Sequence, residues 1–301
     1  TRKWSLLVGG RLDKHNLVDH VIFSPRVNVR FNPSEAVNLR VSYAGGYRAP
    51  QAFDEDMHIA IVGGKRVRIR LADDLREERS HSVSLSADLY HTFGKVQTNL
   101  LVEGFYTILD DVFALRDMDD AADGGKVKER YNGSGATVRG FNVEGRAAFT
   151  RWFELQAGVT LQQSRYKEPE FWSEDAEVPP VRRMFRTPDA YGYFTASFKP
   201  VRNFTADLSG TCTGSMLVQH MAGSGVGQDV AVSTPSFFDM NIRLSYDVRI
   251  YKEITMQLYG GVQNLFNAYQ KDFDKGVDRD SGYIYGPSLP RSWFVGAKFS
   301  F

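Results

Sequence analysis

Cysteine is nearly missing from this chain. Cys212 is the single thiol in 301 residues, which excludes a disulfide within the chain and any zinc site built on cysteines. No run approaches the roughly 18 apolar residues of a membrane helix, and mean hydropathy is −0.34. A dominant charge is lacking too. Lys and Arg number 37 against 36 Asp and Glu, a formal +1, which leaves no electrostatic case for nucleic acid. Helix signals are absent: no stretch joins a cap residue to apolar positions at three- and four-residue spacing over ten or more residues. Thr1-Arg2-Lys3-Trp4 enters a strand pattern directly, so the expectation is that an export signal was removed or, the favoured reading, that the N-terminal part of a longer protein precedes this stretch.

What is present is aromatic side chains, 13% of residues with 14 Tyr and 21 Phe, and a period of two. In an extended chain successive side chains point to opposite faces. At the far end Trp293, Val295, Ala297, Phe299 and Phe301 share one face, while Ser292, Gly296, Lys298 and Ser300 share the other; Phe294 is the exception. A soluble sheet seldom ends on so bare an apolar strand, because it leaves an unprotected edge. A strand that closes a membrane barrel gives that face to lipid. Further back, Val21, Phe23, Val27, Val29 and Phe31 alternate with Ile22, Ser24, Arg26, Asn28 and Arg30. Arginine and asparagine on the second face suit a wet lumen better than a packed core. Pro25 falls mid-strand, where a soluble central strand would reject it.

The connections alternate in length. Short ones are expected at Asn32–Glu35, Thr92–Lys95, Thr150–Trp152, Pro200–Asn203 and Val248–Glu253. Long ones are expected at Gly45–Ser80, around Asp117–Lys126, and at about Lys167–Pro188, Val218–Pro235 and Asn267–Pro290. A short connection is also expected after the first strand, Lys3–Asp13. About twelve strands result, with tight turns at one end and elaborate loops at the other. That asymmetry belongs to outer-membrane barrels, with periplasmic turns and external loops. The fold class expected is therefore all-β, a transmembrane antiparallel β-barrel.

Three stretches carry a family resemblance. Tyr47-Arg48-Ala49-Pro50 stands at the mouth of the first long loop, and Asp73-Asp74-Leu75-Arg76-Glu77-Glu78 precedes the next strand. Asn264-Leu265-Phe266-Asn267 ends the penultimate strand, and Phe301 closes the last. In this order the set resembles TonB-dependent outer-membrane receptors, departing from the family pattern where Ala72-Asp73-Asp74-Leu75 lacks an Asn-Pro. The resemblance implies a barrel of about 22 strands around an N-terminal plug. Residues 1–301 then form the C-terminal portion of the barrel, with plug and remaining strands supplied elsewhere, on the same or another chain. It also implies a receptor that imports a scarce, large solute (a metal chelate, haem or a vitamin) and is driven by the TonB complex. Outer-membrane lipid is a partner, and a surface lipoprotein is a further candidate. A passive pore and a phospholipase-type barrel enzyme are the alternatives; the second matches the strand count, but Gly223-Ser224-Gly225 comes with no base or oxyanion site fixed by spacing.

Ligand contacts are expected from the external loops. His58 stands where haem receptors of the family carry an axial histidine, although among Asp54, Glu55 and Asp56 it also reads as an ordinary loop residue. His220, next to Met221, offers a second soft ligand, with no histidine at a fixed spacing to complete a pair. Arg66 and Arg68 are cationic forks for an anionic ligand. Phe171, Trp172, Tyr283 and Tyr285 provide aromatic surface, or a girdle at the membrane interface. Asp272, Asp274, Asp278 and Asp280 alternate as calcium ligands do, but Tyr283 stands in place of a closing glutamate, and Lys271, Lys275 and Arg279 supply countercharge. No cofactor is required; haem, a metal chelate or calcium would be ligands.

Overall fold

The computed structural model describes residues 3–51, 67–118, 126–173, 175–223, 225–251 and 253–300. Its strands are β1 (Trp4–Asp13), β2 (Ile22–Ser34), β3 (Val37–Arg48), β4 (Val67–Leu71), β5 (Glu78–Phe93) and β6 (Val96–Asp110). Then come β7 (Phe113–Met118), β8 (Lys126–Asn132), β9 (Ala136–Thr150), β10 (Phe153–Glu170), β11 (Val181–Arg183) and β12 (Ala190–Val201). Last are β13 (Phe204–Thr213), β14 (Leu217–His220), β15 (Val230–Ser233), β16 (Phe237–Tyr251), β17 (Ile254–Gln263) and β18 (Ser292–Ser300).

Twelve of these form one wall in the order β1-β2-β3-β5-β6-β9-β10-β12-β13-β16-β17-β18, with β11 added against β10. Every neighbour in the wall is the next wall strand in sequence, and every pairing is antiparallel. The meander, with connections alternating short and long, is the one read from the sequence. The connection after β1 proves to lie on the long-loop side, spanning 14–21.

Directly paired residues share a face, so register sorts the side chains. One row runs Leu6, Val29, Val41, Leu85, Gly104, Phe141, Leu161. The adjacent row, on the other face, runs Ser5, Arg30, Arg40, Ser86, Glu103, Asn142, Thr160. On that second face polar groups satisfy one another across strands. Asn142 donates to Glu103 (3.0 Å), Thr160 to Asn142 (2.8 Å), Tyr193 to Glu144 (2.6 Å) and Ser197 to Asp207 (2.6 Å). A carboxylate ladder of this kind is incompatible with lipid and suited to a wet interior.

Pro25 is accounted for by register. The β2–β3 ladder ends at Arg26 opposite Ala44, so Pro25 lies just beyond it and breaks no bond with β3. The residue after Ala44 is Gly45, where a Cβ would lie only 2.9 Å from Pro25 Cδ. Strands also run further outward than their side-chain pattern shows. β3 and β5 pair through Arg48 and Glu78, inside the stretch expected as loop, and β10 continues to Glu170. Chain ends of long strands keep pairing because backbone groups remain satisfied whatever the side-chain pattern. For the same reason the long connections fold on themselves: β14 pairs β15, and β4, β8 and β7 form a separate three-stranded sheet.

Candidate functional site

The long connections gather at one end of the wall, the mouth. Its first unit grows from the Tyr-Arg-Ala-Pro stretch. Tyr47 and Arg48 are the last residues of β3, and Ala49-Pro50 leads away with Pro50 buried. Arg48 grips Glu78 with two guanidinium nitrogens, Nε at 2.6 Å and Nη2 at 2.9 Å, while its Cζ lies 4.9 Å from the Phe113 ring centroid. The amide of Phe113 donates to the same carboxylate at 2.5 Å. A planar fork on a planar carboxylate gives both energy and direction. Glu77 is 2% exposed and accepts from Arg79 (2.8 Å) and His20 (3.0 Å). Burial opposes its charge, yet the bonds from Arg79, its own backbone and His20 outweigh that and hold the carboxyl below its ordinary value. Asn132 closes the unit, accepting from Arg76 N (2.8 Å) and donating to Arg76 O and Asp111 O (2.9 Å each).

Above this clasp β4 runs parallel to β8, joining the β3–β5 connection to the β6–β9 connection. Arg130, on β8 and 2% exposed, sends a guanidinium nitrogen to Gln51 O at 2.6 Å, binding the same two connections again.

The second unit begins at Asn264. Asn264 and Asn267 both adopt left-handed backbone (φ 49° and 54°), a region asparagine enters more readily than most residues. The buried Asn264 side chain donates to Ala268 O and Leu289 O, both at 2.9 Å, and accepts from Ala268 N at 2.8 Å. It thereby ties together the two ends of the last long connection. Within that connection Asp272 accepts the hydroxyls of Tyr283 (2.8 Å) and Tyr285 (2.6 Å). Desolvation opposes charge on Asp272, but the Tyr285 and Tyr283 bonds prevail and its carboxyl lies below the usual value. Burial, then donation to Asp272, pushes the Tyr283 hydroxyl up to about 12, and Tyr285 is raised for the same reasons.

The two tyrosines pack with Val218 and Phe237 into a small apolar core. His220, at the end of β14, lies flat on Tyr283 and points Nε2 at both oxygens of Asp274, 3.0 Å from each. Met221 N donates to Asp280 at 2.8 Å. Arg186, itself left-handed (φ 55°), reaches Ile284 O (2.9 Å) and Gly282 O. Three connections thus meet in one body.

Of the residues expected to touch ligand, the structure brings His220 and Tyr283 together, but as buried packing: they are 6% and 3% exposed. Trp172 packs edge-on against Phe185 (5.4 Å) and donates to Pro179 O (3.3 Å), while Phe171 is 74% exposed. Arg68 sits in β4 opposite Val127. His58, Arg66 and Phe301 lie outside the described residues. The calcium set is not assembled. Asp272 holds tyrosines, Asp274 holds His220, Asp280 holds the amides of Met221 and Gly282 (2.7 Å), and Asp278 is exposed. Among the described residues no group of three or more His, Cys, Asp or Glu is placed to hold a metal ion. Sequence reasoning missed Arg186 and Arg130, whose partners are backbone carbonyls far along the chain, and the buried Gln270, which donates to Tyr283 O (3.1 Å) and accepts from Tyr285 N (2.9 Å).

Beneath Asn264, on the polar face, a recess of about 500 Å³ is lined by Ser209, Asp239, Asn241, Gln263 and the Pro287–Pro290 segment. One Asp239 oxygen, Oδ1, is buried there without a hydrogen-bond partner among the described residues.

The family model described as TonB dependent receptor-like, beta-barrel, matches residues 1–265. Among solved structures, a variant of the ferric enterobactin receptor of Pseudomonas aeruginosa superposes with TM-score 0.67 at 17% identity, over 99% of this chain and 42% of that one. The siderophore receptor PirA of Acinetobacter baumannii gives 0.65 at 17%, over 100% and 44%. The ferric-catecholate import receptor Fiu of Escherichia coli K12 gives 0.60 at 16%, over 92% and 35%. This chain therefore spans less than half the length of each. No curated protein sequence matches it.

Proposed function

Because this chain belongs to the TonB-dependent receptor β-barrel family, an outer-membrane family of transport receptors rather than enzymes, we propose that it is the C-terminal barrel portion of an energy-coupled importer of ferric siderophores. In this reading residues 1–301 supply twelve strands of the wall and the ordered mouth. A plug fills the lumen against the polar face, and TonB acts on the plug. The recess around Asp239 is a place where that face still offers an acceptor.

His220, one of the two histidines expected as metal ligands, favours a siderophore over haem. Its Nε2 is held by Asp274 and its ring is covered by Tyr283, so it is not presented to a haem iron or any other bound metal. A siderophore brings its iron already wrapped in oxygen ligands and needs no axial histidine. Exposed arginines at the mouth, Arg70 and Arg76 among them, suit an anionic chelate. The names of the similar structures, ferric enterobactin and ferric-catecholate receptors, point the same way. The test is uptake of radioactive iron by cells whose sole receptor is the full-length protein. Ferric catecholate should enter and haemin should not; growth on haemin without catecholate uptake would reverse the assignment.

A further inference from the structure

On the apolar face of the wall a groove of about 630 Å³ runs across β5, β6, β9 and β10. Its sides are Leu85, Tyr106, Phe141 and Leu161, all exposed, and its floor opens at Gly104, which has no side chain beside the Phe141 ring. Any apolar groove here would take up lipid, so the groove alone selects nothing.

Selection comes from what stands at its outer end. Arg139 pairs across the ladder with Tyr106 and Gln163, and Phe141 is two residues below it, so Arg139 shares the apolar face. Its guanidinium donates to the neutral Gln163 at 2.8 Å. Arg165 lies two residues beyond Gln163 on the same face, diagonal to Arg139 and roughly 7 Å away. Among the described residues Arg165 has no hydrogen-bond or ion-pair partner. The carboxylates nearby are already taken: Asp189 by Arg183 (3.1 Å) and Asp110 by Lys167. Two guanidiniums therefore face outward uncompensated.

Their height matters as much as their charge. On β10 the same face carries Phe153, against Phe149, near the turn end. Ten residues separate Phe153 from Gln163, the ladder partner of Arg139, roughly 33 Å along the strand and about 25 Å once the strand tilt is allowed for, the height of a barrel's apolar band. With the aromatic pair at one interface, the arginines stand at the other, level with headgroups of the outer leaflet.

We propose that this is a lipid site: Arg139 and Arg165 hold the phosphate of an acylated, phosphate-bearing lipid whose chain lies along Leu85, Phe141 and Leu161. It rests on the wall being a membrane barrel, and would serve to fix the mouth relative to the surrounding leaflet.

The test is native mass spectrometry of the full-length receptor, purified in detergent and titrated with bis-phosphorylated lipid A, with phosphatidylcholine and sodium phosphate as controls. Lipid A should bind at least about tenfold more tightly than phosphatidylcholine, and R139A/R165A should lose about that factor. Gly104→Leu is the second variant. An added Cβ there meets Phe141 only at ordinary contact, 3.5 Å, so it fills the groove without disturbing the wall and should also weaken binding. Equal retention by wild type and both variants overturns the site, as does loss of lipid A selectivity over phosphatidylcholine. Displacement by sodium phosphate alone overturns the acyl-chain part. Were the barrel reading itself at fault, the protein would instead fail to fractionate with outer membranes.

Discussion

The imidazole of His220 and the ring of Tyr283 lie 3.7 Å apart between centroids and only 4° from parallel. The two residues come from different long connections, 63 positions apart, and this contact is where those connections meet. Removing His220 leaves the Asp274 carboxylate with the Asp280 amide (3.1 Å) but without its side-chain partner, and uncovers Tyr283. His220→Ala should loosen the last connection by about 2 kcal/mol, from the lost aromatic pair and the stranded carboxylate. Hydrogen exchange at residues 270–285 should rise while the wall strands keep their protection; an unchanged exchange pattern would show that the stack contributes nothing.

The same unit should have a pH window. Asp272 has its carboxyl lowered, so its contribution is present above the ordinary aspartate value near 4 and fades as pH falls. Tyr283 and Tyr285 are raised, so theirs is full below about 10 and fades at alkaline pH, that of Tyr283 as pH climbs toward about 12. Exchange at residues 270–285 should accelerate outside that window. In Y283F/Y285F the alkaline limb should shift or vanish, and persistence of an identical limb would assign it to other tyrosines.

Arg48 and Glu78 pin the first connection at its root. A double-mutant cycle of R48A and E78A should give coupling of about 1 kcal/mol, near the upper end for partly exposed ion pairs because the geometry is bidentate. R48K should recover part of it. Additive effects would show the pair to be incidental.

Asn264 combines a left-handed backbone with three side-chain bonds. Asn264→Gly keeps the backbone and loses the bonds, whereas Asn264→Ala loses both; the alanine variant should be less stable by about a further 1 kcal/mol. Trypsin reports the outcome, since Lys271, Lys275 and Arg279 lie in the connection it ties. Cleavage should quicken from wild type to glycine to alanine variant. Equal rates in all three would remove the asparagine from the account.

Register predicts two opposite reactivities on each of three strands, β2, β3 and β6. Cysteines at Val29, Val41 or Val102 should react with a lipid-dissolved probe, and cysteines at Asn28, Arg40 or Asn99 should not. The reverse pattern would mean that the wall is inside out.

The wall was legible because its rule is local. Each strand must alternate, and Arg26, Asn28 and Arg30 against Val27, Val29 and Phe31 disclose which face is wet without any knowledge of neighbours. The mouth obeys no such rule. Asp272 to Asp280 look like calcium ligands at their spacing, yet what decides their use is Tyr283 and Tyr285 folding back within the same connection and His220 arriving from another. Arg186 and Arg130 bind carbonyls, which carry no residue identity and so leave no trace in a sequence. Asn264 was visible as a motif, but its reason, a turn that needs φ near 50° and two captured carbonyls, emerges only from coordinates.

The parallel pairing of β4 with β8 has a consequence for how such receptors change. Two strands that share a ladder cannot change length one at a time, because an insertion within either breaks the register of both. Selection for a new solute must therefore recruit paired changes on the two segments, or confine variation to stretches outside the ladder. Grafting a foreign recognition loop onto this barrel follows the same arithmetic. The segments between β3 and β5 and between β6 and β9 should be exchanged together, and a chimera carrying only one of them should reach the membrane less often than one carrying both.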